Sequence, residues 1–163
     1  MNTYRRTLGL ALAALTLAGL AGCATTPQPV SIADTAARSP ELSTLSKLIT
    51  DAGLTDTLRG AGPFTMFAPS DEAFKALPGK TLADLAADKD LLKSVLTYHV
   101  ISGKVTAADV KNGNVKSMQG ANVALAKAGT FVTAEESVVV QADIAASNGV
   151  VHIIDKVMMP PKR

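Results

Sequence analysis

In the first half of the chain, apolar residues recur at helical spacing. Ser39-Pro40-Glu41 reads as an N-cap with proline at the first helical position, Leu42, Leu45, Leu48 and Ile49 form one apolar face, and Gly53 supplies the stop. Gly60-Ala61-Gly62-Pro63 reads as a turn, and Phe64 to Ala68 as a short apolar strand closed by Pro69. Ser70 caps a helical turn through Ala76, and Thr81 and Asp84 open another. Asp88 to Thr97 is amphipathic, with Leu91, Leu92, Val95 and Leu96 facing inward, and Thr106 caps a last small helix near Val110. In the second half the pattern shifts to short β-rich runs: Asn114 to Met118, Asn122 to Ala126, Phe131 to Thr133, Val138 to Ile144 and Val150 to Val157. Gln119-Gly120, Ala128-Gly129 and Asn148-Gly149 read as hairpin connections between them. Helices followed by a cluster of strands predict an α+β fold with mainly antiparallel pairing.

The N-terminus has a different character. Arg5 and Arg6 precede an uncharged run of 13 residues, Leu8 to Leu20, which leads into Leu20-Ala21-Gly22-Cys23. That run is too short for a membrane span, which needs about 20 residues, but it suits a secretion signal. Small residues before the sole cysteine match the lipobox of bacterial lipoproteins, in which the cysteine is acylated and becomes the new N-terminus. The division expected is a lipoprotein signal peptide at 1–22, lipidated Cys23 with a polar tether over 23–30, one domain over 31–160 and a tail at 161–163. Ala24 after the cysteine, by analogy with lipoprotein sorting, favours the outer membrane, facing the periplasm or the outside. More than one acyl chain is what holds such a protein stably at a membrane.

Processing changes the charge balance. The full chain has 16 Lys+Arg against 14 Asp+Glu, and loss of Arg5 and Arg6 leaves 14 of each sign. A neutral surface of mixed sign argues against nucleic acid, whose binders concentrate positive charge. With Cys23 acylated no thiol remains for a disulfide or a cysteine-based metal site, so the apolar core must hold the domain together.

Candidate chemistry centres on two histidines, His99 and His152. In the strand reading Val150, His152 and Ile154 share one face and Val151, Ile153 and Asp155 the other. An imidazole among aliphatic residues is tolerable when both ring nitrogens are satisfied, so His152 is read as a structural strut and Tyr98-His99 as a lock at a helix–strand junction. A hydrolase using either ring as base, or a metal site completed by Asp143 or Asp155, is the competing reading. No G-x-S-x-G, H-E-x-x-H or phosphate-cradling glycine motif accompanies it. No catalytic residue, metal or cofactor is therefore expected, and the protein is not expected to be an enzyme. Absence of Trp, with Tyr98 the one tyrosine of the mature chain, disfavours aromatic platforms for sugars.

Three segments together carry a family resemblance. "FTMFAPSDEAF" (Phe64 to Phe74), "TYHV" (Thr97 to Val100) and "NGVVHIIDKVMMP" (Asn148 to Pro160) resemble, in order and spacing, the two signature boxes and central Tyr-His of the fasciclin domain. The resemblance extends over Ile32 to Pro160. It implies a β-wedge decorated by short helices, no established active site, and a role in adhesion or interaction at cell surfaces. The expected partner is then an envelope or extracellular protein or polysaccharide; a periplasmic lipoprotein binding a small molecule or glycan is the alternative. Candidate contact residues are Thr65, Ser70, Asp71, Glu72, Tyr98, His99 and Asn148. Pro69, Gly149, His152 and Asp155 are expected to be structural, and Ser70 and Asp71 can equally be read as helix caps.

Overall fold

The structure is a computed structural model that describes residues 30–161. The expected leader, Cys23 and nearly all of the tether lie outside the described residues.

Helix α1 (Ile32–Arg38) starts at Ser31, whose Oγ accepts from the Asp34 N–H, and it buries Ile32, Ala33 and Ala36. A 3-10 turn at Pro40–Leu42 leads into α2 (Ser43–Asp51), and α3 (Thr55–Arg59) follows. Gly53, at φ +66°, ends α2 in the left-handed conformation open to glycine. The hydrophobic period marks neither α1 nor α3, because helices of 7 and 5 residues hold too few apolar positions to display one. Then come α4 (Asp71–Lys75), α5 (Gly79–Ala87) and α6 (Lys89–Tyr98). The Asp88 carboxylate starts α6 by accepting from the N–H groups of Asp90 and Leu91 at 2.9 and 3.0 Å. No helix among the described residues is long and apolar enough to cross a membrane. The helix expected at Thr106 does not form. A single turn closes there, with Thr106 Oγ1 donating to Asp109 at 2.6 Å, and the chain is extended again by Gly113.

Seven strands follow the order β2-β1-β7-β6-β5-β4-β3. They are β1 (Phe64–Pro69), β2 (Val100–Ser102), β3 (Gly113–Lys116), β4 (Asn122–Ala128), β5 (Phe131–Ala134), β6 (Ser137–Ala146) and β7 (Gly149–Ile154). Neighbours are antiparallel except β1 and β7, which run parallel from Phe64 opposite Gly149 to Pro69 opposite Ile154. The sheet curls until its outer strands meet: Ile101 bridges Ser117, and the Met118 N–H donates to Val100 O at 2.7 Å. The result is the α+β fold that the sequence pattern predicts, curled into the wedge that the fasciclin resemblance implies.

The β1–β7 pair is buried on both faces and divides two cores. Met66, Ala68, Val151 and Ile153 face the helices, where Ile32, Leu42, Leu45, Ile49, Leu92 and Leu96 pack on them. Phe67 and Ile154 face into the wedge with Ile101, Val123, Leu125 and Val132. Asn148-Gly149 is not itself the turn. Ser147-Asn148 makes it, and Gly149 opens β7 where a Cβ would stand 1.9 Å from the Phe64 carbonyl oxygen. Close contact between strands, rather than turn geometry, requires that glycine.

Candidate functional site

The first box is the β1–α4 corner. Thr65 is fully buried within β1, its hydroxyl donating to Gly103 O at 2.7 Å and accepting from the Val105 N–H at 2.8 Å. It does not reach the surface patch expected of it: the Thr65 face of β1 is covered by the 103–107 segment. Pro69 ends the strand opposite Ile154, and Ser70 caps α4 by accepting from the Ala73 N–H at 3.2 Å. Asp71 reaches across to α2, which has no cap of its own. Its two carboxylate oxygens accept from Ser43 Oγ at 2.7 Å and from the Thr44 N–H at 2.8 Å. Burial opposes its ionisation, but these donors outweigh burial and hold its pKa below the ordinary carboxylate value. Glu72 is exposed and pairs with Lys75 at 2.7 Å.

His152 is fully buried on β7, its ring stacked on Phe67 at a centroid distance of 5.4 Å. Nε2 donates to Val105 O at 2.8 Å, and Nδ1 accepts from the Asp143 N–H at 3.2 Å. Asp143 sits at φ +59° in an irregular stretch of β6, and its carboxylate accepts from the Ala107 N–H at 2.8 Å. His99 is likewise fully buried: Nδ1 donates to Val95 O at 2.7 Å and Nε2 accepts from the Met158 N–H at 2.9 Å. Burial depresses its pKa to about 4 against the opposing pull of the Val95 carbonyl. Each imidazole therefore has one nitrogen donating and one accepting, both to backbone, and neither presents a free nitrogen to a substrate. The Tyr98 hydroxyl lies 3.0 Å from both Asn122 O and Glu135 Oε1, and burial, then Glu135, pushes its pKa up to about 12.

Asn148 ties together three parts of the chain. Its amide donates to Leu58 O and Gly60 O at 2.7 and 2.8 Å, and its Oδ1 accepts from the Ile32 N–H at 2.9 Å. Asp155 Oδ1 accepts from the Val138 N–H at 2.7 Å and fastens β6 to the end of β7.

Four of the singled-out residues do converge. Ser70, Asp71, Glu72 and Asp155 line an open groove of about 630 Å³, whose walls also include Glu41, Lys75 and Val140. Thr65, Tyr98, His99 and Asn148 lie elsewhere, each with its polar atoms engaged inside the fold. Sequence reasoning missed Glu41, Lys75 and Val140 as groove residues. The alternation Val138–Val140 was the available signal for the last, because its outward member has no core to enter. Among the described residues, no three His, Cys, Asp or Glu side chains gather where they could hold a metal ion.

Comparison with known proteins agrees with this architecture. The fasciclin domain family model matches residues 40–160. The chain is 41% identical over 140 residues to protein sll1483 of Synechocystis, covering 85% of this chain and 78% of that one. It is 37% identical over 138 residues to the immunogenic protein MPB70 of Mycobacterium bovis, covering 82% and 69%. To the cell surface glycolipoprotein MPB83 of the same organism it is 38% identical over 135 residues, covering 80% and 60%. In fold it is similar to a FAS1 domain pair from the insect cell adhesion molecule fasciclin I. That match has a TM-score of 0.64 at 17% identity and covers 80% of this chain and 51% of the two-domain chain. With curled sheet, helical cover and both signature boxes in place over that whole span, the chain belongs to the fasciclin domain family.

Proposed function

We propose that the protein is a non-catalytic interaction module of the bacterial cell envelope, anchored in the outer membrane by lipid on Cys23. In this reading it makes adhesive or biofilm-type contacts with an envelope or extracellular protein or polysaccharide through the groove at the β1–α4 corner. The observation that carries the reading is a division of roles. Both imidazoles are buried and committed to backbone partners, whereas half-buried Ser70 and Asp71 and exposed Glu72 of the first box border an open groove. Similarity to a cell surface glycolipoprotein and to a cell adhesion molecule supports the same direction. Many anchored copies side by side turn weak single contacts into firm attachment.

A deletion strain complemented with the wild-type chain or with Glu41→Lys/Glu72→Lys tests the groove. Adhesion is expected to return with the first and not with the second, and unchanged adhesion in the deletion strain itself would remove the proposal. An inhibitor of the lipoprotein signal peptidase is expected to leave the precursor unprocessed. Cleavage that continues in its presence would remove the anchor.

A second reading, a lipoprotein that holds a small molecule, is favoured by the groove's volume, which lies within the roughly 300–1,000 Å³ of ligand sites. Native mass spectrometry of the purified protein would then show a stoichiometric small ligand, lost in Glu41→Lys/Glu72→Lys.

A further inference from the structure

Two properties decide how easily an asparagine loses its side-chain amide: the residue that follows it and the freedom of the bond between them. Among the described residues, Asn112 and Asn148 precede Gly113 and Gly149, whereas Asn114 and Asn122 precede Val115 and Val123. Glycine has no side chain to shield its own backbone nitrogen, so that nitrogen can reach the preceding side-chain carbon. A β-branched valine crowds the same approach. Asn112, Asn114 and Asn122 are exposed, and Asn148 is half-buried. Among these four, Asn112 alone combines exposure with a following glycine.

The two Asn-Gly pairs are held in opposite ways. For the Gly149 nitrogen to reach Cγ of Asn148, the bond between the two residues must rotate, and the fold opposes it. The Asn148 side chain donates to Leu58 O and Gly60 O and accepts from the Ile32 N–H, while its main-chain carbonyl accepts from the Phe64 N–H at 3.0 Å. Just before it the Ser147 N–H donates to Val30 O at 2.9 Å, and just after it Gly149 is buried against the Phe64 carbonyl. Asn112 instead lies in the bend that enters β3, and Gly113 is the last rung of that strand's pairing, opposite Leu125. β3 has four residues and ends the strand order, and the Ile101–Ser117 bridge that closes the sheet is at its other end. Such a terminal rung opens at little cost. No other part of the fold comes within 4 Å of where a Gly113 Cβ would stand, so nothing crowds the attack. One contact favours it: Asn112 Oδ1 accepts from the Lys127 N–H at 2.6 Å, which draws electron density away from Cγ.

We infer that Asn112 is a site of spontaneous covalent modification, and that Asn148 keeps its amide as long as the chain is folded. The Gly113 nitrogen loses its proton to solvent and bonds to Asn112 Cγ. The bond from Cγ to the side-chain nitrogen breaks, that nitrogen takes up a proton and leaves as ammonia, and a five-membered succinimide remains. Water then adds to one of the two ring carbonyls and opens the ring to aspartate or, with the main chain rerouted through the side chain, to isoaspartate. Water is the sole co-reactant, and nothing is oxidised. The two products fit differently. Aspartate keeps an oxygen where the Lys127 N–H needs one, next to exposed Lys111. Isoaspartate lengthens the main chain by a methylene at the start of β3 and draws the carboxylate off that N–H. The inference does not depend on the groove or on the lipid anchor.

The test holds the purified full chain folded at neutral pH and follows it by peptide mapping with mass spectrometry, which reads replacement of NH2 by OH as a gain of one mass unit. Asn112 is expected to convert at least about tenfold faster than Asn114, Asn122 and Asn148, each of which needs a costlier opening or a more crowded attack. The rate should rise with pH, because the attacking nitrogen must lose its proton. In urea Asn148 should catch up with Asn112, while Asn114 and Asn122 stay slow. Isoaspartate-containing chain, separated by ion exchange, should exchange the Lys127 amide hydrogen faster than the wild type, and Asn112→Asp should not. Conversion of Asn112 no faster than that of Asn114 and Asn122 would overturn the inference, and so would Asn148 keeping pace in the folded chain. An Asn112 that converts only in urea would overturn it equally, since the last rung would then hold Gly113 in place.

Discussion

On the helical side of the β1–β7 pair the core consists of aliphatic residues from regular helices, which satisfy their own backbone groups: Ile32, Leu42, Leu45, Ile49, Leu92 and Leu96 need only pack. On the wedge side, irregular segments cross the core, and several of their peptide groups are paired with side chains rather than with a helix or sheet ladder. Residues 103–107 and 155–161 are of this kind, and there Thr65, His99 and His152 supply donors and acceptors to Gly103, Val105 and Met158. The comparison explains why the imidazoles are inside. A neutral ring offers one donor and one acceptor, so each imidazole ties two separate stretches together: His152 joins Val105 O to the Asp143 N–H, and His99 joins Val95 O to the Met158 N–H. Packing holds one half, and hydrogen-bonded struts help hold the other.

That contrast can be broken in graded steps. The largest effect should come from Gly149→Ala, at the seam shared by both cores. The new methyl meets backbone rather than a movable side chain, so a loss of about 4 kcal/mol or more is expected, measured by urea unfolding or as failure to accumulate folded protein. Next, Leu45→Ala on the helical side should lose roughly 3 to 4 kcal/mol by transfer and cavity effects, with little dependence on pH.

The wedge side should instead respond to acid. The unfolded chain protonates His99 near its ordinary value of 6.5, while burial keeps the folded ring neutral down to about 4. Its contribution is thus complete above pH 6.5 and is lost as pH falls through 6.5 to about 4, amounting to about 3 kcal/mol. Urea unfolding at a series of pH values should show this slope in the wild type and not in His99→Gln.

Smaller effects belong to the corner between the halves. Asp71→Ala removes the cap lent to α2 and should lower stability by about 1 kcal/mol. Glu72→Ala removes only an exposed ion pair with Lys75 and should not move the melting temperature measurably, so any loss of adhesion in it reports on contact rather than on folding.

Much of this design is legible along the chain because local chemistry wrote it there. The Asp88–Thr97 helix, the Ser70 cap and the strand alternation that separates Val151 and Ile153 from His152 and Ile154 all follow from residue type and spacing. What local pattern does not encode is which surface another segment will cover. Thr65 carries a hydroxyl and a methyl and fits either a wet or a buried position, and the covering segment lies about 40 residues away in sequence. Asn148 looks like an ordinary turn residue until Ile32, Leu58 and Gly60 arrive from the other end of the chain. The parallel pairing of β1 with β7 is equally long-range. The groove was half visible: Ser70, Asp71 and Glu72 sit together in sequence, whereas Glu41 and Val140 join them only through the fold.

The placement of Val30 has a mechanical consequence. Where the chain enters, at Val30 and Asn148, lies at one end of β1 and β7, and the groove bordered by Ser70 and Asp155 lies at the other. A pull between those ends therefore runs lengthwise along two parallel neighbouring strands, loading their ladder in shear instead of unzipping it rung by rung.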